Sequence, residues 1–132
     1  MNKVQKQLQV TAEWISQYAQ SIEFPLQTMD GKFIAPSTMP IIFWQEFDIP
    51  WLTGDKALIH GTQSFLYEEP IKAGMVLDCE LMLTNVEEKA GKQGLFTFLT
   101  HTLVCKYKDN LIVTAETVLI QVGDSREKTY NS

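Results

Sequence analysis

The run Ser37-Thr-Met-Pro-Ile-Ile-Phe-Trp-Gln-Glu-Phe47 decides the fold. Wound as a helix, it sends Met39, Ile41, Ile42, Phe43, Trp44 and Phe47 in nearly every direction around the wheel. A helix that is apolar on most sides needs protein around it rather than water on one face. Ser37 stands where an N-cap oxygen can take a first-turn N–H. Pro40 falls in that first turn, where a missing N–H costs nothing. Pro50 stops any continuation.

Toward the C-terminus, residues 62–122 read almost wholly as strand. Phe65 and Tyr67 share one face of residues 62–69. Pro70-Ile-Lys-Ala-Gly74 is a bend. Residues 75–87 alternate, with Met75, Leu77, Cys79, Leu81 and Leu83 on one side and Asp78, Glu80 and Thr84 on the other. A polar, Gly-bearing break over residues 88–94 precedes residues 95–107, apolar on much of both faces as a central strand is. Lys108-Asp109-Asn110 is a hairpin signal, and residues 111–122 complete the sheet. Strands of about a dozen residues are roughly twice the usual length. Such a sheet twists and curls, and its concave side needs an apolar filling. Residues 37–47 are the one stretch greasy enough. The expected fold is therefore α+β, a single hot-dog domain in which a long curled antiparallel sheet wraps a buried central helix.

Toward the N-terminus, Thr11 caps a helix whose first turn holds Glu13, favoured there by the helix dipole. Trp14, Ile15, Tyr18 and Ala19 make its apolar stripe, and Phe24-Pro25 ends it. Residues 1–10 are polar with scattered Val and Leu and are expected to join the fold only near Val10. Residues 26–36 read as an irregular connection with a turn at Met29-Asp30-Gly31-Lys32, and residues 49–61 as a loop.

Composition narrows the function. A chain of 132 residues fits one domain, here residues 1–124 with a loose tail over 125–132. A net charge of −5 argues against a general nucleic-acid binder, which carries a basic face. No apolar run approaches the roughly 20 residues that span a bilayer. The N-terminus, Met-Asn-Lys-Val-Gln-Lys-Gln, is polar and unlike a secretory signal. Cys79 and Cys105 sit in strand patterns and read as reduced, buried thiols of a cytoplasmic protein. No Cys/His cluster has metal-ligand spacing, and Gly91-Lys-Gln-Gly94 lies in a hairpin connection rather than a phosphate loop.

The segment from Gly61 to Leu77 resembles the MaoC-like dehydratases, a hot-dog family that includes (R)-specific enoyl-thioester hydratases. Tyr67, Pro70, Ile71 and Gly74 match the end of that family's first long strand, although Met75 stands where Asp is usual. The likeness runs over roughly residues 10–122. Catalytic members carry Asp-x-Asn-Pro-(Ile/Leu)-His after the first helix, where the Asp and His manage a water and its proton while a donor holds the thioester oxygen. Here that register falls on Ile22-Glu-Phe-Pro-Leu-Gln27. Ile22 has no proton to exchange, and the Gln27 amide has no useful basicity. Ala35-Pro-Ser37 replaces the Ala-His-Gly of catalytic members. With Leu58-Ile-His-Gly-Thr-Gln63, it resembles the N-terminal-type domain that forms the non-catalytic half of double hot dogs or a separate paired subunit.

The resemblance implies an accessory subunit that shapes an acyl-binding groove. Candidate lining residues are Met39, Ile42, Phe43, Trp44, Trp51 and Phe65, with no catalytic residue of its own, no metal and no cofactor. The implied substrate is an acyl thioester on coenzyme A or acyl carrier protein. The implied partners are a second copy or a catalytic MaoC-like subunit, with no nucleic acid and no membrane. Asp55 and His60 repeat the five-residue spacing of the catalytic pair, so a self-sufficient homodimeric hydratase is the alternative. His60 nevertheless reads as a structural residue bonding backbone at the helix-to-strand junction, and His101 as a packed or partly exposed sheet histidine. A non-enzymatic acyl-thioester binder is the third reading. A thioesterase fits the residue pattern less well.

Overall fold

The computed structural model describes residues 2–52, 57–92 and 94–123. Asp55 and the tail over 125–132 lie outside the described residues. A five-stranded antiparallel sheet runs in the order β1-β5-β6-β7-β4, with β1 at Lys3–Gln9, β4 at Leu58–Tyr67, β5 at Val76–Gly91, β6 at Gly94–Tyr107 and β7 at Asn110–Val122. Helix α1, Ala12–Ser21, and helix α2, Pro40–Phe43, precede β4, and a small hairpin of β2, Gln27–Met29, and β3, Lys32–Ile34, lies between the helices.

The long strands alternate as expected. Leu77, Cys79 and Leu81 of β5, Leu99, Leu103 and Cys105 of β6, and Val113 and Ala115 of β7 are buried. Strand register aligns these side chains in transverse rows on the inward face. One row is Tyr67, Val113, Cys105 and Cys79; the next is Phe65, Ala115, Leu103 and Leu81. Met39 and Phe43 fill the space against these rows and have no exposed surface. Helix α1 closes the far side. Trp14 meets Phe43 at 5.3 Å between ring centroids, and the Tyr18 and Thr38 hydroxyls share a hydrogen bond of 2.7 Å. Thr11 caps α1 as expected, its Oγ1 accepting from the Trp14 N–H at 3.0 Å.

The central stretch is less helical than its sequence suggests. Only Pro40–Phe43 is α-helix, and the chain tightens into a 3-10 turn over Trp44–Glu46. Ser37 is not the cap: Met39 holds that position without a side-chain bond, and the Ser37 carbonyl instead accepts the Tyr67 hydroxyl at 2.7 Å. Pro40 begins the helix because its missing N–H is harmless only in the first turn. A single α-helical turn cannot hold itself together in water, so its shape follows the packing of Met39 and Phe43.

Four other expectations need correction. Residues 3–9 are already strand. Lys3–Gln9 pairs with β5 at the sheet edge, its outward Gln5 and Gln7 donating to Glu80 and Asp78 at 2.6 and 3.1 Å. Lys6 lays its stem inward and reaches the Glu46 carbonyl at 2.9 Å. Residues 26–36 are not irregular, because Asp30 and Gly31, at φ 54° and 76°, turn the β2-β3 hairpin. Strand β4 begins at Leu58 rather than residue 62. It bulges between His60 and Thr62, where a Cβ on Gly61 would lie 3.1 Å from the Val118 carbonyl oxygen. Strand β5 likewise runs on to Gly91. At the other end of β6, Lys108 and Asp109, at φ 49° and 68°, make the expected tight turn.

Candidate functional site

Among the described residues, two clusters could carry chemistry. The first lies on the inward face, in the transverse row Gln63, Thr117, His101 and Leu83. His101 has no exposed surface. The Trp51 indole N–H donates to its Nε2 at 2.8 Å. That nitrogen therefore carries no proton, so the neutral ring holds its hydrogen on Nδ1, which donates to the Leu99 carbonyl at 3.2 Å. Trp44 meets the imidazole edge-on at 4.8 Å between centroids, and the Trp51 ring lies nearly parallel to it at 6.0 Å. Burial drives the His101 pKa down, with the Leu99 bond opposing it weakly. Thr117 donates to Gln63 Oε1 at 2.6 Å, and the Gln63 amide donates to the Glu116 carbonyl at 3.2 Å. Every polar atom of this row that the structure describes is spoken for, and an imidazole locked between two partners is a strut rather than a base.

Sequence reading placed His101 only as a packed or partly exposed histidine. Its two tryptophan contacts were invisible there, because Trp51 lies fifty residues away on a 3-10 turn, Pro50–Leu52. The six proposed lining residues divide accordingly. Met39 and Phe43 are fully buried core within the chain; Ile42 and Phe65 are half-buried against that core; Trp44 and Trp51 flank His101. His60 is exposed on β4, opposite Leu119, and its side chain has no hydrogen-bond partner among the described residues.

The second cluster is an open groove of about 450 Å³ between the hairpin and the end of β4. It is lined by Phe24, Gln27, Ile34 and Pro36 from one side and by Tyr67, Glu68, Glu69 and Pro70 from the other. The bend after β4 fixes its floor: the Ala35 N–H donates to the Ile71 carbonyl and the Ala73 N–H to the Phe33 carbonyl, each at 2.8 Å. Tyr67 spans it to the Ser37 carbonyl. Burial foremost, with Cys105 and Tyr18 adding to it, pushes the Tyr67 phenol well above its ordinary range, so it remains a neutral donor. Gln27 thus lines the same recess as Ser37, while Ile22 ends α1 and is exposed.

Cys79 and Cys105 are free, buried and directly opposed, with Sγ atoms 3.3 Å apart. The hydrogen bond between them, and then burial, push the Cys105 thiol far above its usual range, which makes it inert. Among the described residues no group of His, Cys, Asp and Glu could hold a metal ion, and no helix is long and apolar enough to cross a membrane.

A family model described as the FAS1-like dehydratase domain region matches residues 2–115. The chain belongs to that dehydratase family. Its fold is the hot dog of the MaoC-like hydratases. Chains of two mycobacterial assemblies superpose on it, both from Mycobacterium tuberculosis. One is from the HadBC (3R-hydroxyacyl-ACP dehydratase) complex, with TM-score 0.66 and 17% identity over 90% of this chain and 93% of that one. The other is from the ChsH1-ChsH2 complex, with TM-score 0.70 and 13% identity over 92% and 84%. The (R)-hydratase of A. caviae involved in PHA biosynthesis is similar as well, with TM-score 0.64 and 18% identity over 89% and 92%. A curated relative, the UPF0336 protein of Thermobifida fusca, is 31% identical over 102 residues. That match covers 73% of this chain and 65% of the relative, so the chain spans just under two thirds of that protein's length.

Proposed function

We propose that this chain is the accessory half of a MaoC-like enzyme that dehydrates (R)-3-hydroxyacyl thioesters or hydrates the enoyl form. The observation that carries the reading is the composition of the groove. Gln27 stands in the register of the family's histidine and lines the recess beside Ser37 and Tyr67, while the aspartate register holds an exposed Ile22 at the end of α1. Neither Gln27 nor Ile22, at the two dyad registers, can take up a proton from water near neutral pH and return it. The acid–base pair must then come from a second chain. The fold offers a place for it, since β4 is an edge strand with one side of its backbone unpaired by the sheet. Two of the similar folds come from structures described as two-component complexes. In this reading the chain supplies wall rather than catalyst, and the thioester rides on coenzyme A or acyl carrier protein.

The test is crotonyl-CoA hydration by the purified chain, alone and mixed with a MaoC-like subunit that carries the Asp/His pair. Turnover in the mixture, exceeding that of the second subunit alone, with none from this chain by itself, is the expected result. Turnover by this chain alone that disappears in His60→Ala would replace the proposal with the self-sufficient homodimer. Thermal stabilisation by crotonyl-CoA without turnover in any mixture would make the chain a binder.

A further inference from the structure

We infer that the groove between the β2-β3 hairpin and the end of β4 receives a basic, apolar-tipped segment of the partner chain and not the thioester itself. The identity of the partner rests on the accessory reading above; the preference for positive charge rests on the groove alone. Its walls are apolar: Phe24, Ile34, Pro36, Tyr67 and Pro70. Among the described residues its charged lining is Glu68 and Glu69, adjacent and both exposed. Among the described residues neither carboxylate is ion-paired, and Lys72, three residues further on, is committed to Asp30 at 3.0 Å. The phosphates of an anionic thioester carrier would meet two like charges here with no cation to offset them. A guanidinium or ammonium beside an aromatic or branched apolar side chain meets the opposite: carboxylates for its head and apolar walls for its body.

A second observation points to a macromolecule rather than a small ligand. The apolar surface does not stop at the groove. Ile22, Phe24, Leu26 and Met29 are 43, 44, 42 and 43% exposed along one short stretch, and Phe24 is part of the groove wall. Four large apolar side chains left partly in water along one short stretch of chain suit a surface that another protein covers. Glu23, between Ile22 and Phe24, adds a further carboxylate to that stretch.

The experiment is a titration of the ¹⁵N-labelled full chain with three probes: the peptide amide Leu-Arg-Phe-Arg-Leu, the same peptide with Glu in place of Arg, and octanoyl-CoA. The backbone amides of Gln27, Ser37, Glu68 and Glu69 should shift with the arginine peptide only, and added salt should weaken the effect. Combining Glu68→Lys with Glu69→Lys, both at exposed positions, should lower that affinity by roughly tenfold or more at an unchanged melting temperature. Glu68→Gln with Glu69→Gln should fall between. Equal shifts with the glutamate peptide, shifts of the same amides with octanoyl-CoA, or no shift at millimolar peptide would each overturn the inference. So would concentration-dependent broadening of those amides without any probe, which would assign the surface to a second copy. Hydratase activity of the chain alone would sink the accessory reading while leaving the peptide result standing. A silent peptide with partner-dependent turnover would remove the groove assignment only.

Discussion

Replacing Trp51 with Phe tests the strut on the inward face. The change keeps an aromatic ring beside His101 and deletes one N–H, the donor that sits 2.8 Å from Nε2. His101 has no exposed surface, so water cannot simply take the donor's place, and a buried acceptor without a partner costs about 1–3 kcal/mol. Unfolding entropy near 2.1 cal/mol/K per residue gives roughly 0.28 kcal/mol/K for a chain of this size, so the melting temperature should fall by roughly 4–11 °C. A thermal melt by circular dichroism at pH 7.5 reads it directly. The same substitution carries a second signature. In the native protein the indole N–H faces Nε2, so a proton can reach that nitrogen only by breaking the bond. Without the indole donor the imidazole protonates more readily in the folded state, and the loss of stability on acidification should become shallower. A variant that melts within a degree of the parent, with the same acid dependence, would refute the claim that this bond holds the Pro50–Leu52 turn to the sheet.

The pH dependence of the parent follows from His101. Its folded pKa lies below the unfolded value of about 6.5, so below that pH the unfolded chain binds the proton first. Its contribution should therefore drain away as pH falls from about 6.5 through the folded pKa, and His101→Gln should flatten that part of a stability–pH curve from urea titrations. Phe43→Ala removes a fully buried ring from the centre of the core and should cost about 3–5 kcal/mol, seen as a melting point lower by roughly 10 °C or more. Gly61→Ala places a methyl 3.1 Å from the Val118 carbonyl oxygen and 3.2 Å from Ile120 Cδ1. The side chain can yield and the carbonyl cannot, so about 1–3 kcal/mol should be lost in urea unfolding. Tyr67→Phe deletes the bond to the Ser37 carbonyl; because Ser37 is exposed, water replaces the donor and the loss should stay near 0.5 kcal/mol.

The parts of the fold that local chemistry dictates were legible in the sequence. The period-two alternation of β5, the Thr11 cap and apolar stripe of α1, and the Lys108-Asp109 turn all have local causes, and each is found as read. The misses have non-local causes. Strand β1 shows only Val4 and Leu8 as apolar alternation, and its inward Lys6 breaks the pattern. What holds it is pairing with β5 and the bonds of Gln5 and Gln7 to side chains more than seventy residues away. The start of β4 was hidden by Gly61, which reads as a loop residue and is in fact the bulge where the sheet backbone comes too close for a Cβ. The stretch 37–47 was correctly placed at the core, but its helix length depended on what the sheet left room for. At the candidate site, Gln27 and Ile22 could be placed by register alone, and the acidic pair opposite Gln27 could not: Glu68 and Glu69 reach it only because the chain bends at Pro70.

The strand order also sets a schedule. Strands β5, β6 and β7 are joined by short turns and can zip as successive neighbours, whereas β1 must find β5 with Lys3 opposite Met82, and β4 must find β7 with Tyr67 opposite Val113. Closing those distances waits on the meander, because loop entropy is spent before the contacts return it. On a ribosome, residues 1–52 emerge while the four later strands of the five-stranded sheet are still unmade. Met39 and Phe43 therefore spend synthesis in water, and they become core only when the last strand, carrying Ile112, Val113 and Ala115, clears the exit tunnel. A chain cut short before β7 is the form most exposed to aggregation and chaperone capture.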